Sequence, residues 1–463
     1  MRSKVLMYNL VVAKHEKNLL LYYVDIFQDT KNIKKVCGGF KLKKLVNTFA
    51  MNPFEITSKP VEENIMNWGM MYPKPYNKKT VNPFTKTRII LMNGTEFESS
   101  WFLHQFHRNC NDNDLRREIA LIRNQEQQQQ KRIGALKPLD ENILETTISY
   151  EQLAIELTAI LAQNETCPNS KAALDLALLE DFDHLYRFSN LLKKDFGIDA
   201  SKLTGKLTEI MPGRPTINEH RHPYDHVKFA GNNKTAAPFT KLVAGIITAA
   251  EQQTMNWYMN IAQIYHNDIG RKLFSEIAMV EEMHVTQYGS LKDPTCTWLE
   301  NWLMHEYLEC YLYYSCMEDE VDKDIKEIWR QHFEMEVSHL KRVAELLKKY
   351  EKKAVKDVIP DPIFPQLLKF GSNKEYVRHV IETQVHLTSD RENYIDAREL
   401  PKSADFFKYN DTVNVEPAKV ASHLIIKETA KALGGEDFRY QDTPHPIKDL
   451  DNRKKDNVTV GRE

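Results

Sequence analysis

Six side chains between residues 251 and 339 have the types and spacing of a metal site. Glu251 is followed thirty residues later by Glu281-x-x-His284, and Glu306 is followed thirty residues later by Glu336-x-x-His339. One hundred residues upstream of the first set, Glu151, Asp181 and His184 repeat both spacings. A carboxylate and an imidazole at i and i+3 project to one side of a helix and can meet one ion together. Thirty residues between carboxylates fit about fourteen residues to a helix end, a turn and about fourteen back, so both acids stand at one height in an antiparallel hairpin. Two facing hairpins would then offer four carboxylates and two histidines. This mixed oxygen and nitrogen set suits iron or manganese, zinc less well, and magnesium poorly because of the imidazoles.

The elements that must hold these residues are helix pairs, and they form an internal repeat. Glu151–Leu192, Glu251–Lys292 and Glu306–Leu347 align without gaps. Besides the acids and histidines, leucines coincide seven residues past each histidine (Leu191, Leu291, Leu346), and Ala173, Leu273 and Ile328 coincide eight before each second carboxylate. A Glu and a His three apart are often a weak surface pair. Here their flanks are apolar, as in Ile277-Ala278-Met279-Val280 and Phe333-Glu334-Met335. A face that buries Leu and Met buries Glu and His only when they are paired or metal-bound. Tyr258 and Tyr313, each seven residues after a first carboxylate, lie two turns along the same face. They are read as packed tyrosines with a satisfied hydroxyl, and proton donation or a radical is the alternative.

Around the repeat, a polar helix is expected over Leu115–Lys131 and further helices over 143–163, 171–194, 239–266, 270–291, 296–320, 324–352 and 373–400. The connection 198–238 carries His220, His222 and His226 and reads as an ordered functional loop. Ile89-Ile90-Leu91-Met92 before Asn93-Gly94 suggests a strand and turn. His104 and His107 read as surface or packing residues. The expected division is an irregular N-terminal segment (1–110), a helical domain (111–356), and a C-terminal helix and tail (357–463), the tail from Glu436 partly disordered.

Composition narrows the class. The chain has 463 residues and a net charge of -2 from 63 basic and 65 acidic residues, which gives no bulk attraction to nucleic acid or an acidic membrane. It is 42% hydrophobic with only 16 glycines, which favours a globular, mainly α protein. None of the six cysteines forms a C-x-x-C pair, so a zinc ribbon or rubredoxin knuckle is not expected. With Lys14, His15, Glu16 and Lys17 breaking the apolar runs near the N-terminus, neither an export signal nor a membrane span is expected, and the reading is a cytoplasmic protein with reduced thiols.

In these motifs the chain resembles the ferritin-like superfamily of ferritins, rubrerythrins and manganese catalases, in a bacterial branch, over roughly residues 143–352. The resemblance implies a mainly α, ferritin-like bundle built here from three helix hairpins. Glu251 and Glu306 would be single-carboxylate ligands, with Glu281–His284 and Glu336–His339 the paired ones. Glu309 looks like the extra carboxylate that some rubrerythrins carry. The implied cofactor is two iron ions, alternatively manganese. The implied function is an oxidoreductase acting on peroxide, dioxygen or a small organic substrate, alternatively metal storage. Partners would be the metal ions and that substrate or oxidant, and a homo-oligomer is compatible.

Pairing the hairpins is a separate problem. Ferritin-like bundles join two hairpins by a crossover along the bundle. Only 22 residues run from His284 to Glu306, whereas 67 run from His184 to Glu251. Connection length therefore favours the Glu151 hairpin with the Glu251 or the Glu306 hairpin. Motif quality favours Glu251 with Glu306, because Asp181 stands where Glu is usual. All nine residues remain candidate ligands.

Overall fold

The computed structural model describes residues 11–15, 18–22 and 51–453. It divides into two units, 1–50 and 51–463. In the first, β1 (Val11–His15) and β2 (Asn18–Tyr22) form an antiparallel hairpin, with Val11 opposite Tyr22 and His15 opposite Asn18. Of the expected irregular N-terminal segment, residues 1–10, 16–17 and 23–50 lie outside the described residues.

The second unit is mainly helical, and its core is four helix hairpins rather than three. They are α1 (Pro83–Asn109) with α2 (Asn113–Gly134), α3 (Ile143–Asn164) with α4 (Pro168–Phe196), α6 (Pro238–Ile264) with α7 (Asp268–Ser290), and α8 (Trp298–Asp319) with α9 (Lys323–Glu351). Local signals set most starts. Asn82, Asp112, Asn267 and Asp322 cap α1, α2, α7 and α9 through their side chains. Asn142 with Glu145, and Thr297 with Glu300, make capping boxes on α3 and α8. Proline occupies the first turn of α4 and α6, and Gly197, at φ 68°, ends α4.

The hairpins pair crosswise. Helix α3 packs on α6 and α4 on α7; α1 packs on α8 and α2 on α9. Two four-helix bundles result, and α1 lies against α3 and α6 at their common face, so one apolar core runs through both. Gly94 marks how close this approach is. A Cβ there would stand 3.1 Å from the Ala249 carbonyl oxygen and 3.3 Å from Gln253.

Several expectations change. Ile89–Met92 and Asn93-Gly94 are not a strand and turn but the middle of α1, because the Asn82 cap and the buried contacts of the helix outweigh the β preference of two isoleucines. The helical block thus begins at Pro83, inside the segment expected to be irregular. The helix expected over 373–400 stops as α10 at Lys374–Gln384. It is followed by an antiparallel hairpin, β3 (Leu387–Asp390) and β4 (Asn393–Asp396), turned at Arg391 with φ 55°. Two short helices, α11 (Asp405–Val413) and α12 (Ala421–Ala432), come next. The tail from Glu436 to residue 453 packs, with Tyr440 bridging to Ile210 and Asp437 accepting from the Tyr186 hydroxyl. The connection 198–238 is ordered. It contains α5 (Ala200–Leu203) and carries Arg214 and Arg221 into full burial. Among the described residues, no helix is long and apolar enough to cross a membrane, and five cysteines are free.

Candidate metal centres

Each bundle encloses a buried cluster of carboxylates and histidine. In the bundle of α3, α4, α6 and α7, Asp181, Glu251, Glu281 and His284 bring ligand atoms within 4.8 Å of one another, and so do Glu151, His184 and Glu281. Glu281 belongs to both groups. Its Oε1 lies 3.1 Å from His184 Nδ1 and its Oε2 lies 3.1 Å from His284 Nδ1. Asp181 Oδ1 lies 3.3 Å and Glu251 Oε2 3.8 Å from the same His284 nitrogen. One carboxylate thus faces two imidazoles, which is the disposition of a bridging ligand between two ion positions.

The outer nitrogens are held from behind. His284 Nε2 is 2.8 Å from Glu180, and His184 Nε2 is 3.3 Å from Glu219. Arg214 and Arg221 both donate to Glu180. The Tyr258 hydroxyl donates to Glu151 at 2.5 Å. An outer partner of this kind fixes the ring orientation, with Nδ1 toward the cluster.

The cluster carries more negative charge than its own cations balance. Burial pushes the Glu151 and Asp181 carboxyls well above the usual range and Glu251 up to about 8. Burial would raise Glu281 too, but His184 and His284 hold it below the ordinary carboxylate value. Five oxygens, Glu151 Oε2 and both of Asp181 and Glu251, have no hydrogen bond among the described residues. Each buried, unsatisfied polar atom costs about 1–3 kcal/mol, and more if charged. A divalent ion is what such a set lacks, so the donors present fit a bound metal.

In the bundle of α1, α2, α8 and α9, the groups are Glu126, Glu306, Glu336 and His339, and Glu96, Glu126 and Glu309. His339 Nδ1 lies 3.1 Å from Glu336 and 3.0 Å from Glu126, and Nε2 is 2.7 Å from Gln125 Oε1. The Tyr313 hydroxyl donates to Glu96. Gln129 donates to Glu336 Oε1 from the place where His184 approaches Glu281. Burial raises Glu96, Glu306 and Glu309 well above the carboxylate range. A cavity of about 690 Å³ comes up to this cluster at His305, whose Nε2 is 3.4 Å from Glu309 Oε1.

The nine expected ligands are therefore divided. Glu151, Asp181, His184, Glu251, Glu281 and His284 share one cluster, and Glu306, Glu336 and His339 belong to the other. Pairing the Glu251 and Glu306 hairpins in one site is incorrect. The connection Leu291–Thr297 between them is too short to run the length of a bundle. Tyr258 and Tyr313 are buried with satisfied hydroxyls, and both bonds go to cluster carboxylates. The loop histidines are not in either cluster: His220 is 2.9 Å from Asn414, and the His222 ring accepts from the Tyr224 amide. Their neighbour Glu219 is what reaches the centre. His104 is exposed and also lies outside both clusters.

Sequence reasoning missed Glu96, Glu126 and Gln129. Their signal was present, since Glu96 and Glu126 are thirty apart and Gln129 is three further on. This triplet stands 55 residues before Glu151, Asp181 and His184, the offset that also separates the Glu251 and Glu306 sets. Glutamine in the histidine position hid it. No family model, curated protein or solved structure matches the chain.

Proposed function

We infer that the Glu281 cluster is a carboxylate-bridged di-metal centre of ferritin-like type. Iron is the first choice and manganese the alternative. The protein is then an oxidoreductase acting on peroxide, dioxygen or a small organic substrate. The observation that carries this reading is Glu281 offering one oxygen to each of two histidine positions, with five further buried oxygens left without hydrogen bonds among the described residues. His184 and Glu151 would hold one ion, His284 with Glu251 and Asp181 the other, and Glu281 would join them. A pair of ions held there would supply Lewis acidity and redox capacity toward the oxidant.

The chain's own residues prepare that site. Glu219 and Glu180 accept from the outer histidine nitrogens and fix the tautomers. Arg214 and Arg221 compensate Glu180, so that its charge can be buried. Tyr258 keeps Glu151 Oε1 engaged and leaves Oε2 facing the cluster. Burial beside Glu151 and Glu281 raises its hydroxyl above the usual tyrosine range and keeps it neutral, so it remains a donor to Glu151.

The test is anaerobic loading of the purified chain with Fe(II) or Mn(II), followed by elemental analysis, absorption spectroscopy and measurement of peroxide or dioxygen consumption. A few ions per chain and turnover of the oxidant are expected, and His184→Gln and His284→Gln should each lose the turnover together with the ions held at the Glu281 cluster. Many ions per chain would make it a storage protein. No metal retained at these histidines would overturn the reading.

A further inference from the structure

We propose that the second bundle holds a separate metal centre of different chemistry, in which one position is all-oxygen and selects a hard divalent ion such as Mn(II). Three observations carry this. Glu126, Glu306, Glu309 and Glu336 are fully buried. Both oxygens of Glu126 and of Glu309, with Glu96 Oε2 and Glu306 Oε2, have no hydrogen bond among the described residues. The cluster also corresponds, residue by residue at an offset of 55, to the Glu281 cluster: Glu96 with Glu151, Glu126 with Asp181, Glu306 with Glu251, Glu336 with Glu281, and His339 with His284. The supporting groups correspond as well, with Gln125 behind His339 as Glu180 is behind His284, and Tyr313 on Glu96 as Tyr258 is on Glu151.

The two clusters differ where ions would be chosen. Gln129 stands in place of His184 and turns an amide toward Glu336. Its side-chain oxygen is buried and has no hydrogen bond among the described residues. No histidine belongs to the Glu96–Glu126–Glu309 group, and His305, which reaches Glu309 Oε1 at 3.4 Å, stands outside it. Glu309, which corresponds to Thr254, supplies an additional carboxylate beside Glu96 and Glu126. Glu126 is one methylene longer than Asp181, and it reaches both halves of its cluster, whereas Asp181 reaches one. The lost nitrogen is thus replaced by carboxylate oxygen. Carboxylate and carbonyl donors suit manganese and magnesium, and imidazole suits iron and zinc. The half containing His339, Glu306 and Glu336 keeps the mixed donor set. This assignment stands apart from the oxidoreductase reading, because it concerns residues of the other bundle.

The experiment uses the full chain, stripped of metal and loaded with Mn(II) under anaerobic conditions, with bound ions counted by elemental analysis and equilibrium dialysis. Wild type should saturate near four ions per chain. His184→Gln/His284→Gln should retain about two, held by the second bundle. Glu126→Gln/Glu309→Gln, close in shape to wild type, should also retain about two, and a cooperative melt confirms that it folds. Gln129→His should let Zn(II) compete with Mn(II) at least tenfold better at the second centre. Saturation at two ions that all vanish in His184→Gln/His284→Gln would overturn the proposal. So would an unchanged count in Glu126→Gln/Glu309→Gln, and an unchanged Zn(II)/Mn(II) ratio in Gln129→His would overturn the hard-ion assignment. If instead the Glu126/Glu309 variant loses ions while the histidine variant loses none, the Glu281 centre fails and this one stands.

Discussion

Replacing His284 by glutamine should weaken metal binding in one bundle and leave the other unchanged. His284 Nδ1 is the imidazole nitrogen closest to Asp181, at 3.3 Å, and to Glu251, at 3.8 Å. Loss of an outer partner alone costs about 10–100-fold in metal affinity, so loss of the ligand should cost at least about 100-fold, or roughly 2.7 kcal/mol. With free metal at about 100 times the wild-type Kd, occupancy of that position falls from nearly full to about half. The stabilisation that metal gives the fold falls from about 2.7 to about 0.4 kcal/mol. The assay is unfolding with and without chelator, beside an ion count. The partition of the clusters is then read from double variants. His184→Gln with His284→Gln share a site and should couple by about 0.5–3 kcal/mol, whereas His284→Gln with His339→Gln should add within about 0.5 kcal/mol. Strong coupling between His284 and His339, with additivity between His184 and His284, would refute the assignment of these residues to separate bundles.

Two further outcomes follow from the surroundings of the sites. Glu219→Gln keeps an acceptor for His184 Nε2 at 3.3 Å but removes the charge, so metal affinity at the Glu281 cluster should fall about 10–100-fold while the second cluster is unaffected, as isothermal titration with Mn(II) would register. Glu156, away from both clusters, accepts from Thr208 and Asn373, and burial pushes its carboxyl up to about 7. The folded state therefore holds this proton after the unfolded chain has released it. Stability contributed here is present below about pH 4.5 and is lost as pH rises to about 7, by at most roughly 3 kcal/mol. Glu156→Gln should flatten that slope in metal-free melts between pH 5 and 8; an unchanged slope would place the pH dependence elsewhere.

Helical periodicity, capping residues and the thirty-residue carboxylate spacing make three hairpins and nine ligand candidates legible in the sequence. What stayed hidden had physical causes. Helix α1 contains an Ile-Ile-Leu-Met run and an Asn-Gly pair that locally favour strand and turn. Its helicity comes from the cap at Asn82 and from packing on α3 and α6, contacts that no local window contains. The segment after Gln384 leaves the helix for a β hairpin turned at Arg391, a positive-φ position that arginine does not advertise. The supports of the histidines come from a loop rich in histidine whose useful members are Glu219, Arg214 and Arg221. No spacing rule marks them.

The crossed pairing follows from the lengths of the connections once the fourth hairpin is recognised. Helices α1–α4 and α6–α9 are two copies of one unit, since Glu96 and Glu151 are followed after 155 residues by Glu251 and Glu306. Within each copy, consecutive hairpins are joined by Ala135–Asn142 or by Leu291–Thr297, which cannot run back along a bundle. Each copy therefore presents two hairpins side by side, neither of which can close a site on the other. Between the copies, residues 197–237 are long enough to cross, and they bring the inner hairpins together. The outer hairpins then meet by symmetry, with no direct connection of their own. Two sites formed this way share a layout and no residues. The His184 position could become Gln129 in one while the other kept its imidazole, and a second carboxylate, Glu309, could enter without disturbing the first.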